Sequence, residues 1–123
     1  PPKPVETAKR HKEYSDLIIT SRGNVYWWEP GKKLEELKKA EEYVDSEGYR
    51  KVKLWPHHPR SKKWERVYRL VAQTFLHNPN YKVYHHIHHI DNNESNDCVS
   101  NLMWVTQEQH SEIHGFYIPS NKS

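Results

Sequence analysis

The sequence predicts a small single α+β domain, with β-hairpins and helices in its N-terminal part and a strand–loop–strand–helix module at its C-terminal end. Three observations carry that reading. Two β-prone runs, 16–20 and 25–28, flank Ser21-Arg22-Gly23-Asn24, a turn-forming tetrapeptide, and together they read as a hairpin. The run RLVAQTFL (69–76) is apolar enough for a buried helix, and Asn78-Pro79-Asn80 stops it. From Tyr81 onward a histidine-loaded β-run, a polar loop, a second β-run and a helical stretch follow one another. With 123 residues the chain has room for one compact domain and not for two of ordinary size.

The elements follow in order. Residues 1–14 are Pro-rich, polar and basic, and are expected to form a flexible arm. Residues 15–80 make a β-rich scaffold. Pro30-Gly31 ends the hairpin, and 32–43 (KKLEELKKAEEY) combine strong helix formers with Leu34 and Leu37 on one side, which predicts a short exposed helix. In 49–55 (YRKVKLW), Tyr49, Lys51 and Lys53 alternate with Arg50, Val52 and Leu54, the pattern of a half-buried strand. Residues 56–63 read as a loop and 64–68 as its return strand. The module spans 81–116, with strands in 82–90 and 101–105, a loop at 91–97, and a helix from the N-cap Thr106 to the stop at Gly115. Residues 117–123 form a tail.

Only 34% of the residues are hydrophobic and the mean hydropathy is -1.11, so the core is small, and a bound metal is one way such a core gains support. The net charge of +3 is mild but unevenly spread. Residues 50–69 carry eight cations against one anion, Glu65, whereas residues 29–47 carry four cations against seven anions. The basic segment suits a polyanion, and a solvated surface accounts for it equally well. Cys98 is the single cysteine, which excludes an internal disulfide and a Cys-rich zinc site and fits a reducing, cytoplasmic setting. No apolar run is long enough for a membrane span, so no membrane partner is expected. The chain opens on Pro1 without Met, as a piece of a longer protein would.

Six of the ten histidines lie between His85 and His114. His110 and His114 are spaced i, i+4 on the expected helix, so both imidazoles project from one face within reach of one ion. His88 and His89 are neighbours on a strand and point to opposite faces. One can ligate a metal while the other acts as a separate neutral base, the division of labour that phosphodiester hydrolysis needs.

The stretch HHIDNNESNDCVSNLMWVTQEQHSEIHG (88–115) resembles the HNH endonuclease motif, and VYRLVAQTFLHNPNYKV (67–83) resembles the segment that precedes it in phage and intron-encoded HNH homing endonucleases. The resemblance covers about 48–114. It implies a ββα-metal fold, one divalent ion (Zn, Ni, Mn or Mg), double-stranded DNA as partner, and a monomer or homodimer that nicks or cuts both strands. It implies His89 as general base, Asn101 as the middle Asn that holds the loop, and His88 and His110 as metal ligands. His114 matches an extra histidine of the colicin-type nucleases, which gives a three-imidazole site. Two departures stand out. Tyr68 replaces the usual His at a position read as outside the catalytic module, and His110 stands where Asn is frequent, which favours a softer ion than Mg²⁺. Nine residues follow His114, too few for the C-terminal helix-turn-helix of many phage enzymes, so weak or short sequence preference is expected unless a further part or a partner supplies more.

For DNA contact the candidates are Arg50, Lys51, Lys53, Arg60, Lys62 and Lys63, interleaved with Tyr49, Trp55 and Trp64; a Lys-guarded sheet edge explains the same pattern. Asp91 and Asn96 read as loop-shaping residues, Trp104 as core, and His11, His57, His58 and His77 as surface residues. The competing reading is a nucleic-acid-binding module with a closed structural metal site, in which His85 or His86 supplies a fourth ligand and catalysis is absent.

Overall fold

The computed structural model describes residues 5–55 and 63–113. The N-terminal strands β1 (Ala8–Arg10), β2 (Leu17–Thr20) and β3 (Val25–Trp27) form an antiparallel sheet in that order. The expected hairpin joins β2 to β3, with Leu17 paired to Trp27 and Ile19 to Val25. Gly23 makes the turn at a φ of +82°, where an L side chain is strained. It is fixed by crowding as well, since a Cβ there would lie 2.8 Å from the carbonyl oxygen of Asp97.

Two sequence expectations are corrected in this region. The flexible arm over 1–14 is too long: Ala8 to Arg10 pair with Thr20 to Ile18, because the edge of β2 offers backbone partners that a free arm lacks. His11 is not a surface residue. It is buried, its Nδ1 accepts the backbone N–H groups of Glu13 and Tyr14, and its Nε2–H therefore donates to Gln73 Oε1 at 2.7 Å.

The helix expected over 32–43 is reduced to a single 3-10 turn at Leu34–Glu36. Two leucines are too little apolar surface to hold a short helix, which is marginal on its own. The chain instead runs extended alongside β3: Tyr26 bridges Lys39, and the Ala40 N–H donates to the Val25 carbonyl at 2.9 Å.

A second antiparallel sheet has the order β4 (Glu42–Val44), β5 (Arg50–Lys53), β6 (Trp64–Arg66). Helix α1 (Val67–Phe75) follows β6 at once and packs on β2, β5, β6 and the third sheet, β7 (His86–His89) with β8 (Leu102–Val105). Its buried face, Val67, Leu70, Val71 and Ala72, joins Leu17, Ile19, Val25, Val52, Leu54, Ile87 and Leu102 in one core. Trp104 packs against that core, and its Nε1–H donates to the Leu76 carbonyl, as a core role requires. Helix α2 (Gln107–Ile113) closes the chain's described part over β7 and β8. The sheets and two helices make the α+β class that the sequence predicts, and none of the described helices is long and apolar enough to cross a membrane.

Candidate active site

The antiparallel pairing of β7 with β8 sets His88 opposite Met103 and His89 opposite Leu102. Alternation along β7 sends the histidines to two sides. His86 lies flat on His110 of α2, with ring centroids 5.0 Å apart and planes 6° apart. His89 turns to α1, where Tyr68 meets it edge-on at 5.0 Å, and Tyr49 touches it at 6.0 Å. Thr106 fixes the start of α2: its Oγ1 accepts the Gln109 N–H, and the Gln109 side chain accepts the Thr106 N–H. This reciprocal cap sets the position of His110, the next residue. The result is a cleft of about 170 Å³ lined by Tyr49, His88, His89, Asn92, Glu94 and His110.

The loop between the strands is held by Asn101, which is buried. Its Oδ1 accepts the Asp91 N–H at 3.0 Å, and its Nδ2 donates to Asp91 Oδ1 and to the Asn96 carbonyl, each at 2.9 Å. Asp91 in turn accepts the Asn96 side-chain amide and the Asn93 N–H. The Asn96 amide, then the Asn93 N–H and the Asn101 amide, hold the Asp91 carboxyl below the usual carboxylate range. Asn92 takes a φ of 61°, a left-handed position that Asn tolerates. The closed loop delivers its end, 96–99, against the β2–β3 turn, where the Val99 N–H donates to the Ser21 carbonyl at 2.8 Å.

His89 is only 6% exposed. Its Nε2 lies 2.7 Å from Oδ1 of Asp97, a fully buried carboxylate. Among the described residues its Nδ1 has no hydrogen-bond partner. The second Asp97 oxygen lies 3.4 Å from Nη1 of Arg50.

That contact changes the reading of Arg50. Expected at a DNA phosphate, its guanidinium is turned inward, donating to Glu42 at 2.8 and 3.0 Å and to the Gly23 carbonyl at 2.8 Å. The cause is register: Arg50 shares its face of β5 with buried Val52. Burial opposes its charge, but Glu42 and then Asp97 outweigh burial and raise its pKa above the ordinary arginine value. Lys51 and Lys53 project from the other face, Lys51 beside Asp45 at 3.4 Å and Lys53 over the Trp55 ring at 5.9 Å. Lys63 is exposed. Arg60, Lys62 and His114 lie outside the described residues.

Four residues at the site were missed in the sequence. Tyr49 and Glu94 line the cleft, Asp97 holds His89, and Tyr68, read as remote, packs directly on His89. The sequence pattern ends a return strand at Tyr68, whereas the helix already starts at Val67 and turns Tyr68 onto His89; the usual family His at this position is the one available signal. Arg66 adds a further group: it lies over the Tyr49 ring at 4.2 Å and donates to the Tyr68 hydroxyl at 3.3 Å. With Lys51, Trp64 and Arg69 it lines a shallow groove beside the cleft.

As donors for an ion, His88 and His110 line the same cleft. Among the described residues, no three His, Cys, Asp or Glu side chains stand together as a complete ligand set. Two imidazoles with open positions beside them suit a divalent ion that also takes water and phosphate oxygens.

Comparisons with known proteins agree on one family. Residues 70–112 match the family model described as HNH endonuclease. A relative described as an uncharacterized HNH endonuclease of Acanthamoeba polyphaga mimivirus is 32% identical over 104 residues, which is 81% of this chain and 27% of the relative. The chain thus spans about a quarter of that protein's length. Among solved structures, one described as DNA binding and cleavage by the HNH homing endonuclease I-HmuI is similar in fold, with a TM-score of 0.67 and 24% identity over 94% of this chain and 63% of that one.

Proposed function

The chain belongs to the HNH endonuclease family, and from that premise we propose that it hydrolyses phosphodiester bonds in double-stranded DNA with the help of one divalent ion. The observation that supports this best is the cleft itself: His88 and His110 line it together with His89, whose Nδ1 has no hydrogen-bond partner among the described residues. His88 and His110 would hold the ion, with His114 as a third ligand. When bound, the ion supplies positive charge that stabilises the transition state and the departing 3′ oxygen.

The chain's own part is positioning and proton transfer. His89 accepts a proton from the attacking water as the water oxygen bonds to phosphorus and the P–O3′ bond breaks; the departing 3′ oxygen takes a proton from solvent, giving 5′-phosphate and 3′-hydroxyl ends. Asn101 keeps the loop closed around that geometry. Lys51, Arg66 and Arg69, which line the groove beside the cleft, bind backbone phosphates, with Trp64 as apolar contact, and Lys53 and the exposed Lys63 add cations outside it. Arg60 and Lys62 belong to the same proposed track; Arg50 does not. One cleft cuts one strand at a time, so a monomer nicks, and a dimer or two close nicks break both strands.

The test is a supercoiled plasmid incubated with the protein and Mg²⁺, Mn²⁺, Ni²⁺ or Zn²⁺. Nicked circles that DNA ligase reseals are expected in at least one ion, and none with excess chelator. A plasmid that is bound but left intact in every ion rules the proposal out and favours the binding-module reading.

A further inference from the structure

Asp97 lies in the loop before β8, eight positions after His89, and nothing in its sequence context marks it for a role. The fold nevertheless buries its side chain completely and spends both carboxylate oxygens. Oδ1 takes the His89 ring at Nε2, 2.7 Å away, and Oδ2 faces Arg50 Nη1 at 3.4 Å. A buried carboxylate is costly without such partners, so the charge is kept here by two of them. The backbone is braced as well. The β2–β3 turn approaches so closely at Gly23 that no Cβ fits beside the Asp97 carbonyl, and Arg50 ties the two segments by donating to the Gly23 carbonyl.

We propose that Asp97 is the positioning residue for His89: its carboxylate accepts the Nε2–H and thereby fixes the tautomer in which bare Nδ1 takes the proton from water. The inference rests on the nuclease reading and deepens it. A carboxylate bonded to a ring N–H does two things for a base. It locks ring orientation, here together with Tyr49 and Tyr68, and it stabilises the imidazolium that forms as the proton arrives. Arg50 and Glu42 form the outer part of the same chain, so the second sheet and the N-terminal hairpin both support the base.

Asp97→Asn separates a positioning role from mere packing, because it keeps size and shape but removes the charge and can present an N–H to the ring, which selects the other tautomer. With plasmid and the best ion, kcat is expected to fall by about a hundred-fold or more, while KM and Mn²⁺ affinity stay within about threefold. In the wild-type chain labelled with ¹⁵N-histidine, long-range ¹H–¹⁵N NMR should find His89 protonated at Nε2 and bare at Nδ1. A variant that keeps kcat within about threefold of wild type overturns the inference and leaves the nuclease reading standing. So does a wild-type ring protonated at Nδ1 instead. If wild type cuts no DNA, the nuclease reading fails separately, and the proton position alone decides whether Asp97 sets the tautomer.

Discussion

Replacing His89 by Ala is expected to lower the rate of DNA cleavage by about a hundred-fold to ten-thousand-fold, with duplex affinity nearly unchanged. Both halves of that expectation follow from where the residue lies. His89 sits on the α1 side of β7, against Tyr68 and Tyr49, and its exposed fraction is small, so it contributes little surface to a phosphate track. On the proposed reading affinity comes mainly from cations at the DNA backbone, and Lys51, Lys53, Lys63 and Arg66 stay in place in the variant. On the proposed mechanism the rate depends on His89 Nδ1, which has no hydrogen-bond partner among the described residues and which Ala removes. The variant also leaves Asp97 with Arg50 alone and opens space beside two tyrosines, so a stability loss of about 1–3 kcal/mol accompanies it. Cleavage assays at saturating protein, beside gel-shift and urea-unfolding measurements, check all three. Cleavage within tenfold of wild type would place the base elsewhere.

Asn101→Ala has the second largest expected effect, and it acts on the fold and the chemistry together. The side chain makes three bonds that close the loop from Asp91 to Asn96. Ala leaves the Asp91 N–H and the Asn96 carbonyl to find water or stay unpaired, at a cost of about 1–3 kcal/mol. The backbone bond from Ile90 N–H to the Asn101 carbonyl survives, so the β7–β8 pairing itself is not lost. What loosens is the loop that delivers Asp97 to His89, and the cleavage rate is expected to drop by about tenfold or more even where the protein is fully folded. Urea unfolding and single-turnover cleavage at low temperature measure the two effects separately. Unchanged stability with a full rate would show that the loop does not depend on this side chain.

The elements legible in the sequence were those with a strong local pattern. The β2–β3 hairpin announced itself by two β-runs around Gly23, α1 by an apolar run stopped at Asn78, and β7, β8 and α2 by the histidine-bearing motif and the cap at Thr106. The helix expected over 32–43 rests on propensity alone, and pairing with β3 outweighs it because Ala40 gains burial there and two half-exposed leucines cannot anchor a helix. Strand β1 lacks any apolar pattern, since all three of its residues are exposed, and forms only because the edge of β2 needs partners.

Of the site, the cleft position of His88, His89 and His110 was legible because the motif binds residue type to spacing. The contacts from outside the motif were not, since Tyr49, Tyr68 and Arg50 reach His89 or its partner only through tertiary packing. Arg50 is instructive. It is in phase with Val52 and Leu54, which places it on the core side of β5, although its charge alone suggests a DNA contact. A charged residue in phase with buried ones is a candidate for an internal ion pair, and Asp97 with Glu42 supplies it.

On the proposed mechanism the ion that His88 and His110 would hold is the one that cleavage requires. Mn²⁺ titration of the full chain, followed by electron paramagnetic resonance and by plasmid cleavage on the same samples, tests it directly. The expected result is one binding curve that coincides with the activation curve, imidazole nitrogen couplings on the bound ion, and loss of both in the His88→Ala/His110→Ala variant. Cleavage that persists in that variant, or that saturates while the cleft remains empty, would contradict the claim.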